Sequence, residues 1–432
     1  MAVSLTTFSL RPLFKPLFLA ATLTSLLACG DSVTSAAGSQ FNGGNVDQGD
    51  NNSGGDTGNG NSSDFDKTKL LNDLVEQVFV PAVNDFQQAS TEHATAVAAY
   101  CSDLKTQQVS DADLLQTAKT SWQVSMSAWQ QLEVMQIGPL LNNDAQLRNE
   151  IYSWPVTNQC AVDQDVGFNE AGTVAGGEYD ISKRTSTRRG LDAQEYLLFN
   201  TDLNHACAND SQAPQNWNQR PDIERQIARC EYSVEVANDL LNSANELADA
   251  WLSGGASSYA EILKTAATNG QFDNVDAAIN RVTDALFYVD KITKDAKLGA
   301  PVGLINNSCG TATCVNDIES RLSAHSLQNI RANIVAMQRV FKGGSSDTDV
   351  GFDDYLVAVD ASELAVTMAT DIQAMIDAID SFEGEFEAAV VNEPAKVQAL
   401  YQNIKKVTDN LKSAFITFLS LQLPASSAGD AD

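Results

Sequence analysis

Beyond Pro221, the residues Ile223, Ile227, Cys230, Val234, Ala237, Leu241, Ala244, Ala248 and Trp251 follow one another in alternating steps of four and three. That spacing keeps one line of apolar side chains on a single side of a helix. A line of this length is stable in water only when other helices cover it. The same spacing recurs in Ile318, Leu322, Ile330, Ile334, Met337 and Phe341, in Ile372, Met375, Ile379 and Phe382, and from Val397 to Phe418. An N-terminal set covers Leu70 to Tyr100, interrupted by Pro81, and Leu114 to Met135. No long run alternates with the period of two that a strand requires. The expectation is an all-α protein of two packed helical bundles, each of about four helices.

Glycine and proline mark the breaks: Gly138-Pro139, residues 167–177, residues 206–221, Gly254-Gly255, residues 299–310 and Gly343-Gly344. The richest of these lies between Asn204 and Gln219. It divides the folded part into an N-terminal bundle at 64–210 and a C-terminal bundle at 211–424, followed by a tail at 425–432.

The first 28 residues have a different character. Arg11 and Lys15 precede an apolar run from Leu17 to Ala28, which closes on Leu26-Leu27-Ala28-Cys29-Gly30. This is the layout of an export signal, and its apolar run is too short to span a bilayer, which takes about 20 residues. The LLAC sequence resembles the lipobox of bacterial lipoproteins, which implies an acylated Cys29 as the mature N-terminus and a lipid anchor in the cell envelope. Gly30 after the cysteine resembles signals sorted to the outer membrane, with the protein on the periplasmic side. Residues 29–63 are nearly all Gly, Asn, Ser, Asp and Thr and carry too little apolar surface to fold. As a flexible tether they span ~30 Å.

Removing the signal takes away two basic residues, so 25 basic residues face 56 acidic ones and the formal charge falls from -29 to -31. Such a surface repels nucleic acid and anionic lipid headgroups and favours cations. Six cysteines remain after Cys29, an even number that suits disulfides in an exported protein. Sequence alone leaves fifteen pairings open. Pairing of near neighbours joins Cys309 to Cys314 and Cys207 to Cys230, and leaves Cys101 for Cys160.

The segment with most chemistry is Gly190-Leu191-Asp192-Ala193-Gln194-Glu195-Tyr196-Leu197-Leu198-Phe199, preceded by Arg188-Arg189. Asp192 and Glu195 are three apart and share one face of a helix. Two readings stay open: the pair holds a hard cation or a ligand amine, or it forms an N-terminal capping box in which Asp192 caps and Glu195 reaches back to the backbone.

GLDAQEYLLF resembles the signature of the imelysin-like family, G-x-H-x-x-E followed by an aromatic residue and two leucines. Five other stretches follow in family order: SAWQQLEVMQIGPL at 127–140, IYSWPV at 151–156, KLGAPVGL at 297–304, SLQNIRANIVAMQRVFKGG at 326–344 and GFDDYL at 351–356. Together they extend the resemblance over roughly Phe65 to Leu423. It implies two helical bundles with the signature near their junction, and an exported, often lipid-anchored protein tied to iron uptake.

Carried over, the signature gives Gly190, Asp192 and Glu195, with Asp192 standing where the family has histidine. Loss of that histidine disfavours a catalytic zinc, which prefers nitrogen ligands. An oxygen pair suits iron, manganese, calcium or magnesium. The leading reading is therefore a non-enzymatic protein binding a metal ion, iron or another divalent metal, or an iron-bearing small ligand passed among iron-uptake partners. Asp192 and Glu195 would be central, with Glu133 and His325 as further metal contacts and Trp129, Trp154, Arg188 and Gly190 lining the ligand. A divergent metallopeptidase and a polymer-binding module are the rival readings.

Overall fold

The computed structural model describes residues 65–424. The export signal, Cys29, the tether and the tail lie outside them. The described residues are helical, with one two-stranded hairpin, Thr173–Val174 against Gly177–Glu178.

Fifteen α-helices run in order: α1 Lys67–Asp73, α2 Val80–Gln107, α3 Ala112–Glu133, α4 Asn142–Ile151, α5 Gln159–Ala171, α6 Gly190–Phe199, α7 Asp222–Leu252, α8 Tyr259–Lys264, α9 Val275–Leu286, α10 Ser326–Lys342, α11 Phe352–Ala358, α12 Ser362–Asp380, α13 Phe386–Asn392, α14 Pro394–Asn410 and α15 Ile416–Phe418. Several begin on side-chain caps. Asp111 accepts the N–H groups of Asp113 and Leu114, and Asn158 accepts that of Ala161; each satisfies a donor that the first helical turn leaves open. Pro81 does not interrupt its helix. It sits in the first turn of α2, directly after a π-helical turn at Leu74–Phe79 that joins α1 to α2.

α2 packs lengthwise on α7 and on α3; α6 also lies on α7. α10 packs on α3 and on α12, and α14 on α12 and on a long π-helical segment, Val289–Gly299. One hydrophobic core runs from Leu70 to Leu421, and a smaller one gathers Val162, Tyr196, Trp217 and Tyr232. The division expected at 210/211 runs between α7 and the helices on which it packs.

Two expectations about helices need correction. The seam on α7 is not the helix's only buried line, because Ala228, Tyr232, Val236, Leu240 and Leu247 are buried as well. The helix is wrapped on most sides, and polar Arg225, Arg229, Ser233, Asp239 and Ser243, also buried, break the apolar count on its second face. Ile318 and Leu322 do not belong to α10, which starts only at Ser326. The segment 318–325 is a tight turn with left-handed Ser320 (φ 47) and Ala324 (φ 52).

Of the cysteine pairings, Cys309–Cys314 forms as expected. The other two exchange partners: Cys101 bonds Cys230 and Cys160 bonds Cys207. Sequence distance misleads because the packing of α2 on α7 brings together cysteines 129 positions apart.

Candidate functional site

The signature helix α6 begins at Gly190, whose φ is 76°. A Cβ there would stand 2.5 Å from the carbonyl oxygen of Ile151 and 2.6 Å from that of Glu150. Glycine thus lets the start of α6 rest directly on the end of α4. The cap position is Arg189, and no side chain caps the helix. Asp192 and Glu195 therefore do not form a capping box.

Each carboxylate is instead held by one serine from another segment. Asp192 Oδ2 accepts from the Ser153 backbone N–H at 2.6 Å and from its hydroxyl at 3.1 Å. Glu195 Oε1 accepts from the N–H of Ser323 at 2.8 Å and from its hydroxyl at 2.9 Å. Asp192 is buried and Glu195 half-buried. Burial pushes both carboxyls up to about 7, and the nearby charge of Glu319 adds to it; the serine hydrogen bonds pull the other way.

Beneath α6 lies a closed polar centre. The Lys297 ammonium, from the π-helical segment, stands 3.0 Å from Glu319 Oε1 and 3.2 Å from Glu133 Oε2, and donates to Gln130 Oε1 and Asn333 Oδ1. Tyr152 donates to Glu319 at 2.6 Å, and Tyr288 donates to Glu133. Asn333 reaches the backbone carbonyl of Gln130 at 2.7 Å. All of these side chains are buried. Burial raises the Glu133 carboxyl against the attraction of Lys297, and burial lowers the neighbouring Arg148 guanidinium.

The sequence matches the imelysin family, Peptidase M75, over residues 79–414. The chain belongs to the imelysin family. Solved structures similar to it include an iron-regulated protein A precursor from Parabacteroides distasonis, at 20% identity and a TM-score of 0.64, covering 84% of this chain and 98% of that one. An imelysin-like protein from Psychrobacter arcticum is similar at 16% identity and a TM-score of 0.61, covering 83% and 98%. These likenesses establish the shared helical fold. No curated protein matches the chain.

Five of the six imelysin-like stretches supply this region: Gln130 and Glu133 from the first, Tyr152 and Ser153 from the second, Asp192 and Glu195 from the signature, Lys297 from the fourth and Asn333 from the fifth. Glu319 and Ser323 come from the turn before α10. Reading for carboxylates and histidines missed Lys297, Glu319, Tyr152, Gln130 and Asn333. One signal was present for Asn333, which falls three residues after Ile330 on an apolar line, where a polar residue must find buried partners.

The candidate residues scatter more than expected. His325 bonds the hydroxyl of Ser127 at 3.0 Å and packs edge-on against Trp122, and burial lowers it to about 4. Trp129 is core, tilted against Phe86. Trp154 is partly buried against the main core, before a cis bond to Pro155. Arg188 is engaged at 2.7 Å by buried Asp165, and Arg189 by both oxygens of Asp239. Among the described residues no group of three or more His, Cys, Asp or Glu is placed to share a metal ion. Asp192, Glu195, Glu133 and His325 therefore do not come together as one such group.

Proposed function

We propose that this chain is a non-enzymatic envelope protein of iron uptake that receives an iron-bearing ligand at the signature helix, lipid-anchored through Cys29 on the periplasmic side of the outer membrane. The observation that carries this reading is the pair of serine-held carboxylates one turn apart on α6. Glu195 uses only Oε1 for its serine, and both groups titrate near neutrality, so a cationic ligand competes with protons there and not with a strong internal ion pair.

Donor count favours a chelate over a bare ion. A hard cation takes six or more oxygens, and two carboxylates fall far short. Iron that arrives already wrapped needs only a few contacts from the protein. The left-handed Ser320 and Ala324 flank Ser323, and strain of this kind, about 1–3 kcal/mol for each residue, gathers at functional sites. A metallopeptidase needs three protein ligands and an open position for water, which these donors do not supply. Among the described residues no helix is long and apolar enough to cross a membrane, which is compatible with attachment by lipid.

Isothermal titration of the mature protein, Asp192→Ala and Glu195→Gln with ferrioxamine B, a ferric chelate of net positive charge, and with ferrous, zinc and calcium ions tests this. Saturable binding of ferrioxamine B by the native protein, lost in both variants, is the expected result. Equal binding by all three proteins would sink the reading. Chelator-sensitive cleavage of casein that disappears in Glu195→Ala would replace it with the peptidase reading.

A further inference from the structure

A pocket of about 190 Å³ lies at the C-terminal end of α6. Its wall is formed by residues from α3, α6, α7 and the loops after α2 and α6, and contains Lys119 and Arg229 but not one aspartate or glutamate. In a chain with 56 acidic and 27 basic residues, a lining with two cations and no carboxylate is the reverse of the general surface. We propose that this pocket binds a small organic carboxylate with an apolar body.

The parts fit that class of ligand. Lys119 is half-buried and its ammonium is held 5.3 Å from the centroid of the Phe199 ring, and no carboxylate pairs with it among the described residues. Arg229 is buried, and its terminal nitrogens are taken by Asp163, Tyr196 and backbone carbonyls, whereas its Nε is buried without an acceptor. Asp163 offsets much of the Arg229 charge, so Lys119 supplies the attraction. A carboxylate pairs with Lys119 in a partly enclosed site where the charge is poorly screened by water. Leu115 and Leu203 supply apolar wall, with the Cys230 arm of the disulfide beside them. A cavity of roughly 150 Å³ accepts benzene, so this one accommodates an aromatic or short aliphatic acid. Phosphate would leave the apolar wall uncovered.

Titration of the mature protein with benzoate, inorganic phosphate and choline, followed by calorimetry and amide NMR, tests the proposal. Benzoate is expected to bind at one site, with shifts at Lys119 and Arg229, and choline not at all. Lys119→Met should weaken benzoate about tenfold or more, the loss of one charge-assisted hydrogen bond, with Lys119→Arg restoring it and melting temperatures unchanged in both. No benzoate binding, or unchanged binding in Lys119→Met, overturns the proposal. Phosphate binding as tightly as benzoate overturns the assignment of ligand class.

Discussion

Lys297 Nζ and Glu319 Oε1 stand 3.0 Å apart in the interior, both side chains closed to solvent. Removing one partner of a buried pair leaves the other charge uncompensated, at about 3–5 kcal/mol. Lys297→Met is therefore expected to lower the unfolding free energy in urea by that amount, because Glu133 and Glu319 both lose their cation. Arg331→Met, which breaks a half-exposed pair with Asp380, should cost far less. Similar losses in the two variants would show that the interior cluster does not hold the core.

Asp192 and Glu195 make stability depend on pH in a direction opposite to that of ordinary ion-paired carboxylates. Their native values, raised to about 7, lie above the ~4 of an unfolded chain. Between those limits the native state carries more protons than the unfolded one, so their contribution is full below about pH 4 and is lost as pH rises through about 7. Asp192→Asn should flatten this slope. Urea titrations at about pH 5 and pH 8 check it, since an equal offset at both would contradict the burial of Asp192.

Gly190→Ala carries two separable costs. A left-handed backbone costs roughly 1–2 kcal/mol for an L-residue, and the methyl group meets the carbonyls of Ile151 and Glu150. Gly172 has a similar φ of 66° with nothing near its Cβ position, so Gly172→Ala measures the backbone cost alone. Gly190→Ala should lower the melting temperature clearly more. Equal shifts would mean that α6 does not rest on α4.

The disulfides should rank by the chain length they close. On the chain-entropy estimate, separations of 129, 47 and 5 residues give about 5, 4 and 2 kcal/mol for Cys101–Cys230, Cys160–Cys207 and Cys309–Cys314. Serine pairs at each site, compared by urea unfolding, test the order. Peptide mapping without reductant tests the connectivity: a fragment joining Cys207 to Cys230 would refute it.

Much of the fold could be read from apolar spacing, because helices that bury a stripe advertise it. α7, α12 and α14 lie where their lines of isoleucine, leucine and alanine put them. Spacing failed where burial was achieved by polar groups. Arg229 and Asp239 sit on the inner side of α7 with partners on α5, α6 and the segment before α6, and a count of apolar residues sees them as solvent-facing. At 318–325 the four-residue step from Ile318 to Leu322 mimics a helix, although the segment is a turn that buries Ile318.

The candidate site was legible in part. Asp192 and Glu195 were found from their three-residue spacing, but the serines that hold them lie 39 and 128 positions away, where no local spacing pairs them with the carboxylates. The same holds for Lys297, whose partners come from α3, the turn before α10 and α10 itself.

That turn carries Glu319 and Ser323 four residues apart, one gripping the Lys297 ammonium and the other gripping Glu195. The signature carboxylate and the interior ammonium are thus anchored to one short segment, and Lys297 continues through Asn333 to α10, so Glu195→Gln is expected to change amide exchange in α10 as well as at Ser323.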